Sequence, residues 1–208
     1  MRSLLDYDSR IAGPVSLICD LIVLNFFFLL SCLPIFTIGA ATSALHYASF
    51  KMLRQEGSGV WRTYWKGFRS SFRQATGFWL AALVLAVILA ADLWVLPVML
   101  PDFYGIPRLM VTLVLVALCI LMVYILALVS RFSTPWKVTL KNAALMMVGH
   151  YPQTLLLLLL YGACAAIFLL PQNLFLEVSC VFLILGFSGV NYLATMILNG
   201  VFKRYEPV

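Results

Sequence analysis

Four stretches of the chain, 78–96, 109–129, 154–170 and 174–198, are almost entirely aliphatic or aromatic. Each approaches the ~20 residues that a helix needs to cross the hydrocarbon core of a bilayer. Backbone groups inside lipid must find their hydrogen bonds within the segment, so runs of this kind fold as helices. A fifth run, 15–33, carries Asp20 and Asn25 and is closed by Pro34, whose ring disfavours helix in the residue before it. Residues 1–14 hold Arg2, Asp6, Asp8 and Arg10, with no small-residue cleavage site after them, so 15–33 reads as a retained span and not as a signal peptide. Hydrophobic residues make up 63% of the 208 and charged ones 11%, against about half and about a quarter in a water-soluble domain. The class follows: all-α, a polytopic transmembrane helix bundle forming a single membrane domain over 1–208.

A shorter segment, 36–53, is less greasy and rich in Gly39, Ala40, Ala41, Ser43, Ala44 and Ala48. Small residues at this spacing let membrane helices approach closely, which places the segment within the bundle, either spanning or re-entrant. Beyond Gly57-Ser58-Gly59, Trp61, Trp65, Phe68 and Phe72 recur at helical spacing, and Arg62, Lys66, Arg69 and Arg73 repeat that spacing one residue later. The pattern predicts an amphipathic interfacial helix over 60–74, its rings among the headgroups and its cations on anionic phosphates. Arg131, Lys137 and Lys141 belong to a second basic, aromatic surface that reads as a loop. Pro171-Gln172-Asn173 predicts a tight reversal between the last two spans, and 97–107 a short outer connection.

Of the fourteen Lys and Arg, eleven lie in the two basic segments between 51 and 141 or near the C-terminus, two precede residue 15, and Arg108 stands apart. If 36–53 crosses back after Pro34, both termini and both basic surfaces are cytoplasmic and Arg108 alone is outside, as the positive-inside rule asks. If 36–53 lies on the inner surface instead, the N-terminus is outside. The net charge of +6 is thus a matter of topology and not of nucleic-acid binding.

Asp20 and Asn25 are the candidates for a polar path, because an ionisable group in a span faces protein or water. A structural hydrogen bond to a neighbouring helix is the plainer reading. Asp92 is expected at the outer interface and Glu177 at a helix N-terminus. His46, amid Ser43, Tyr47 and Ser49, reads as a packed histidine, and neither it nor His150 has a Cys, Asp or Glu at metal-ligand spacing. The five cysteines fall in apolar runs and read as reduced thiols. Asn191, Thr195 and Asn199 are spaced by four and line one helix face, which is expected to meet another helix. The chain shows no pair of acids in one turn of a span, no activated nucleophile and no phosphate loop, so neither catalysis nor a cofactor is expected.

The residues Leu24-Asn25, then Ser31-Cys32-Leu33-Pro34-Ile35-Phe36-Thr37-Ile38-Gly39, then Ala41 and Ala44-Leu45, resemble the bacterial YesL-like family of small integral membrane proteins. Tyr64 to Arg73, Arg131-Phe132 and Lys141-Asn142-Ala143 look like its later signatures. The resemblance implies a multi-pass protein of the bacterial plasma membrane and a setting beside carbohydrate ABC importers. It carries over Asn25, Pro34, Thr37 and Gly39 as a motif that shapes a helical break. Two functions are expected to compete. One is a non-enzymatic accessory or regulatory subunit that touches the importer's permease subunits and anionic lipid. The other is a stand-alone small-molecule transporter or channel with a polar path near Asp20 and Asn25.

Overall fold

The computed structural model describes residues 2–56, 59–99, 105–132, 134–167, 171, 178–179 and 181–203, with side chains from residue 15 onward save those of 98 and 99. The helices are α1 (Arg2–Cys32), α2 (Ile38–Leu53) after a 3-10 turn (Ile35–Thr37), α3 (Val60–Met99), α4 (Gly105–Arg131), α5 (Trp136–Gly149), α6 (Tyr151–Ala166) and α7 (Phe187–Phe202). A π-helical turn, Phe182–Gly186, leads into α7. Val15–Cys32, Val60–Pro97, Gly105–Arg131 and Phe182–Phe202 are long and apolar enough to cross a membrane. The pair α5 and α6, bent by 93° at His150, adds a fifth if taken as one span. The expected reversal at 171–173 and outer connection at 97–107 fall largely outside the described residues, as do Glu177 and Cys180.

The short segment expected inside the bundle is its centre. α2 packs against α1, α3, α4 and α7, and Ala40, Ala41, Ala44 and Ala48 are buried along it. Its small residues set the distances. A Cβ on Gly39 would lie 2.4 Å from Trp79 Cβ and 2.7 Å from Ala75 O, so the backbones of α2 and α3 meet where a side chain has no room. Gly67 of α3 receives the Tyr47 ring in the same way, 2.8 Å from the place of a Cβ. Gly39 against 75–79 and Tyr47 against 67 fix α2 and α3 as antiparallel. Ser16 and Asp20 share a cleft with Lys51 and Met52, while Pro34 joins the opposite ends, so α1 and α2 form an antiparallel hairpin.

The amphipathic helix expected over 60–74 is not a separate element. It runs without a break into the span beyond it, and the forty residues of α3 extend ~60 Å, about twice the hydrocarbon thickness. The stretch Gln74-Ala75-Thr76-Gly77 has no Pro to interrupt it, and the helix continues through Thr76 and Gly77. Tyr64, Gly67, Ser71 and Ala75 are buried, and the Trp61, Trp65, Phe68, Phe72 stripe lies beside them, mostly outward.

The surface expected as a basic loop contains a second departure, since 136–149 folds as α5. Pro135, extended at φ −60 and ψ 152, opens it. Trp136 is received on α3, where a Cβ on Gly77 would lie 2.1 Å from its ring, and it packs on Phe78 at 4.9 Å between centroids. Gln74 Nε2 donates to Thr134 O (3.0 Å) and Thr139 Oγ1 (3.1 Å), tying the start of α5 to α3.

Candidate functional site

The motif Asn25, Pro34, Thr37, Gly39 resolves into four separate jobs. Pro34 takes extended angles, φ −81 and ψ 123, and ends the first hairpin arm. The last carbonyls of a helix have no partner within it, and Thr37 Oγ1 lies 2.6 Å from both Ser31 O and Pro34 O, donating to that open end. Gly39 permits the α2–α3 contact. Asn25, 1% exposed, reaches across to the last helix: its Nδ2 donates to Leu183 O (2.6 Å) and its Oδ1 accepts from Ser188 N (3.0 Å). A π-helical turn displaces backbone groups from the i→i−4 register. The Asn25 amide, with an NH2 donor and a carbonyl acceptor at its tip, serves one of each.

From that point a seam of polar side chains follows the α2–α7 contact. Ser49 Oγ donates to Asn191 Oδ1 at 3.5 Å. The Thr195 hydroxyl donates to Asn191 O (2.7 Å), its own residue i−4, so it accepts from His46 Nδ1 at 2.8 Å. An imidazole with its hydrogen on Nδ1 leaves Nε2 as a lone pair, and Nε2 is buried with no hydrogen-bond partner. Ser43 Oγ extends the seam to α4, donating to Leu126 O at 3.2 Å. The face of Asn191, Thr195 and Asn199 does meet other helices, α2 for the first two and α4 for the third.

Arg131 closes the seam at the end of the bundle. Its Nη1 donates to Asn199 Oδ1 (3.0 Å), and its guanidinium carbon stands 4.9 Å from the Phe50 ring, 5.5 Å from Phe202 and 5.8 Å from Phe132. A planar cation stacks on several ring faces at once. It draws the C-terminal ends of α2, α4 and α7 together, where the negative ends of three helix dipoles favour a cation. The sequence placed Arg131 on a surface; its partners Phe50, Phe132 and Phe202, far apart in the chain, gave no local signal of the cage.

Asp20 does not join the seam. It lines a cleft of about 400 Å³ with Lys51, Glu56 and Thr63, and Lys51 Nζ is paired there with Glu56 Oε2. The Asp20 carboxylate makes no hydrogen bond or ion pair among the described residues, and His46 is engaged by Thr195 on α7, so the two do not converge. Asp92 is exposed on the outer face of α3. Among the described residues, no three His, Cys, Asp or Glu stand close enough to hold a metal ion.

The outward strip of α3 is a ladder of rings. Trp61 stacks on Trp65 at 5.7 Å and 11°, and Trp65 on Phe68 at 5.3 Å and 8°. Phe68 meets Phe72 at 5.4 Å, and Phe27 of α1 stands on Trp61 at 4.4 Å. Arg69 lies over Trp65 at 5.8 Å. Trp61, Arg62, Trp65, Lys66, Arg69 and Ser70 line one shallow concavity of about 550 Å³. Arg73, and on α5 Lys137 and Lys141, are exposed as well.

A bundle of long apolar helices, with its polar side chains turned onto one another across a central small-residue helix, defines a multi-pass membrane protein. Residues 21–93, from α1 past Asn25, Pro34, Thr37 and Gly39 and through most of α3, match the model of a family described as "Protein of unknown function, DUF624". That is the family to which the YesL-like resemblance points, and the match stops before α4. No curated protein and no solved structure matches the chain.

Proposed function

We propose that this chain is a non-enzymatic accessory or regulatory subunit that sits in the bacterial plasma membrane beside a carbohydrate ABC importer. The observation that carries the reading is the seam: Asn25, Ser49, His46, Asn191, Thr195 and Asn199, polar residues inside the spans, hydrogen-bond to one another, to backbone or to Arg131. Polar groups so used hold helices together and do not strip water from a passing solute. The surface left for a partner is the ring ladder of α3 with Arg62, Lys66, Arg69 and Arg73, continued by Lys137 and Lys141, which suits anionic headgroups and the permease subunits of an importer. The return of α2 alongside α1 supports a cytoplasmic N-terminus, with both basic surfaces and the C-terminus on the same side. Gentle solubilisation of the native membrane and mass spectrometry of what co-purifies test it. Importer permease subunits are the expected companions, and repeated recovery of this chain alone refutes it.

A stand-alone transporter is the second reading, supported by the cleft that holds Asp20. Proteoliposomes containing only this chain would then move a solute, and Asp20→Ala would slow the flux. Tight vesicles across a panel of sugars and ions leave the subunit reading in place.

A further inference from the structure

A cavity of about 570 Å³ lies between α1, α2, α6 and α7, walled by Phe28, Leu45 and Phe187 and by the π-helical turn. Its volume falls within the ~300–1,000 Å³ of small-molecule sites, and its composition is theirs too, apolar walls with a few placed polar groups. Asn191 supplies one of these. Its Oδ1 faces Ser49 and Thr195, whereas its Nδ2 makes no hydrogen bond among the described residues, although the residue as a whole is 4% exposed and lines the cavity. In a membrane span there is no water to take the place of a missing acceptor, so an amide nitrogen that faces an apolar cavity calls for a partner there. Tyr161 and Thr42 also line it, the Thr42 hydroxyl donating to Ile38 O at 2.8 Å and free to accept. Ala165, Leu183 and Phe187 at the rim are exposed, so the cavity opens on the outer face of the spans, toward lipid. The adjoining π turn is a second sign, since such turns inside α-helices are frequent at functional sites.

We infer that this cavity binds the acyl ester of a membrane lipid, the chain lying against Phe28, Leu45 and Phe187 and the ester carbonyl accepting from Asn191 Nδ2. The site is separate from the ring ladder of α3 and does not depend on which partner the protein has. A carbonyl satisfies the amide, and a hydrocarbon tail fills the apolar walls without bringing a charge into them. Asn191 also holds Ser49 and Thr195 through its other atom, so the lipid would sit one side chain away from the His46 seam.

The test uses the purified protein in nanodiscs of phosphatidylglycerol with a trace of photoreactive phosphatidylglycerol, its diazirine in mid-chain and that chain attached by either an ester or an ether bond. After irradiation, the label on 161–165 and 187–191 is measured against the label on the exposed face of α4, 109–116, which reports ordinary surrounding lipid. The wild type is expected to favour the ester probe over the ether probe in the cavity by about threefold to fivefold, one hydrogen bond's worth. Asn191→Leu is expected to erase that preference. Ala165→Trp, which fills the rim from an exposed position, is expected to cut cavity labelling several-fold while the α4 label stays constant and shows that the bundle is intact. Equal ester and ether labelling in the wild type overturns the proposal with no variant needed, and so does cavity labelling that Ala165→Trp leaves unchanged.

Discussion

Asn25→Leu tests the brace between the first and last helices. Leucine keeps the volume and removes both hydrogen bonds, leaving Leu183 O and Ser188 N without their side-chain partner. Hydrogen bonds between membrane helices average ~0.6 kcal/mol and reach ~1.7, because the unfolded chain in lipid also finds partners. Two bonds of good length, 2.6 and 3.0 Å, to backbone displaced from α-helical register put the loss at about 2 kcal/mol. Asp20→Asn is the matched control, since Asp20 makes no bond to lose among the described residues, and its effect should stay within ~0.5 kcal/mol. Equilibrium unfolding in mixed micelles reads both variants. Hydrogen exchange then localises the effect: opening around Ser188 N–H should become about thirtyfold easier, the same 2 kcal/mol expressed as a ratio. If Asn25→Leu unfolds where the wild type does and exchange at Ser188 is unchanged, the π turn supports itself and the reasoning fails.

Gly39→Ala, whose methyl would meet Trp79 Cβ and Ala75 O, should destabilise the bundle by ~1–3 kcal/mol, while Gly162→Ala, with nothing within 4 Å, should not, as unfolding in micelles will show. Arg131→Lys keeps the charge but loses the planar stack on Phe50, Phe132 and Phe202, and is expected to cost ~1–2 kcal/mol in the same assay. Replacing Arg62, Lys66 and Arg69 together with Gln should lower the amount of anionic lipid that co-purifies, each cation contributing ~1 kcal/mol at low salt, with the difference shrinking as salt rises. For sidedness, cysteines placed at Lys66 and Lys137 should resist a membrane-impermeant thiol reagent applied to intact cells, whereas one at Arg108 should react.

The long apolar runs were legible because lipid leaves an α-helix as the main way to satisfy backbone groups, and the central place of α2 because small residues repeat at helical spacing along it. The shared face of Asn191, Thr195 and Asn199 was visible for the same reason. What the sequence hid was continuity and partnership. The change in surface chemistry near residue 75 suggested two elements, yet composition can change along a helix that no Pro interrupts there, and α3 runs through Gly77. α5 was hidden because its Lys137 and Lys141 drew the eye to charge, while the signal that mattered was Pro135 ahead of it and Gly77 opposite Trp136. Asn25 stood out as a polar group in a span, but its partners lie 158 and 163 residues away on backbone atoms, and no pattern along the sequence announces a π turn.

The burial of α2 bears on how the protein is made. This helix contributes Ser43, His46 and Ser49 to bonds whose other halves reside on α4 and α7, and those helices leave the ribosome after it does. Until residue 195 has been synthesised and inserted, His46 has no hydroxyl to hold, so the second helix must wait in a provisional arrangement until the last helix arrives. A chain cut short before α7 would leave His46 and Ser49 without the side chains they hold, a ready signal for the proteases that survey unfinished membrane proteins.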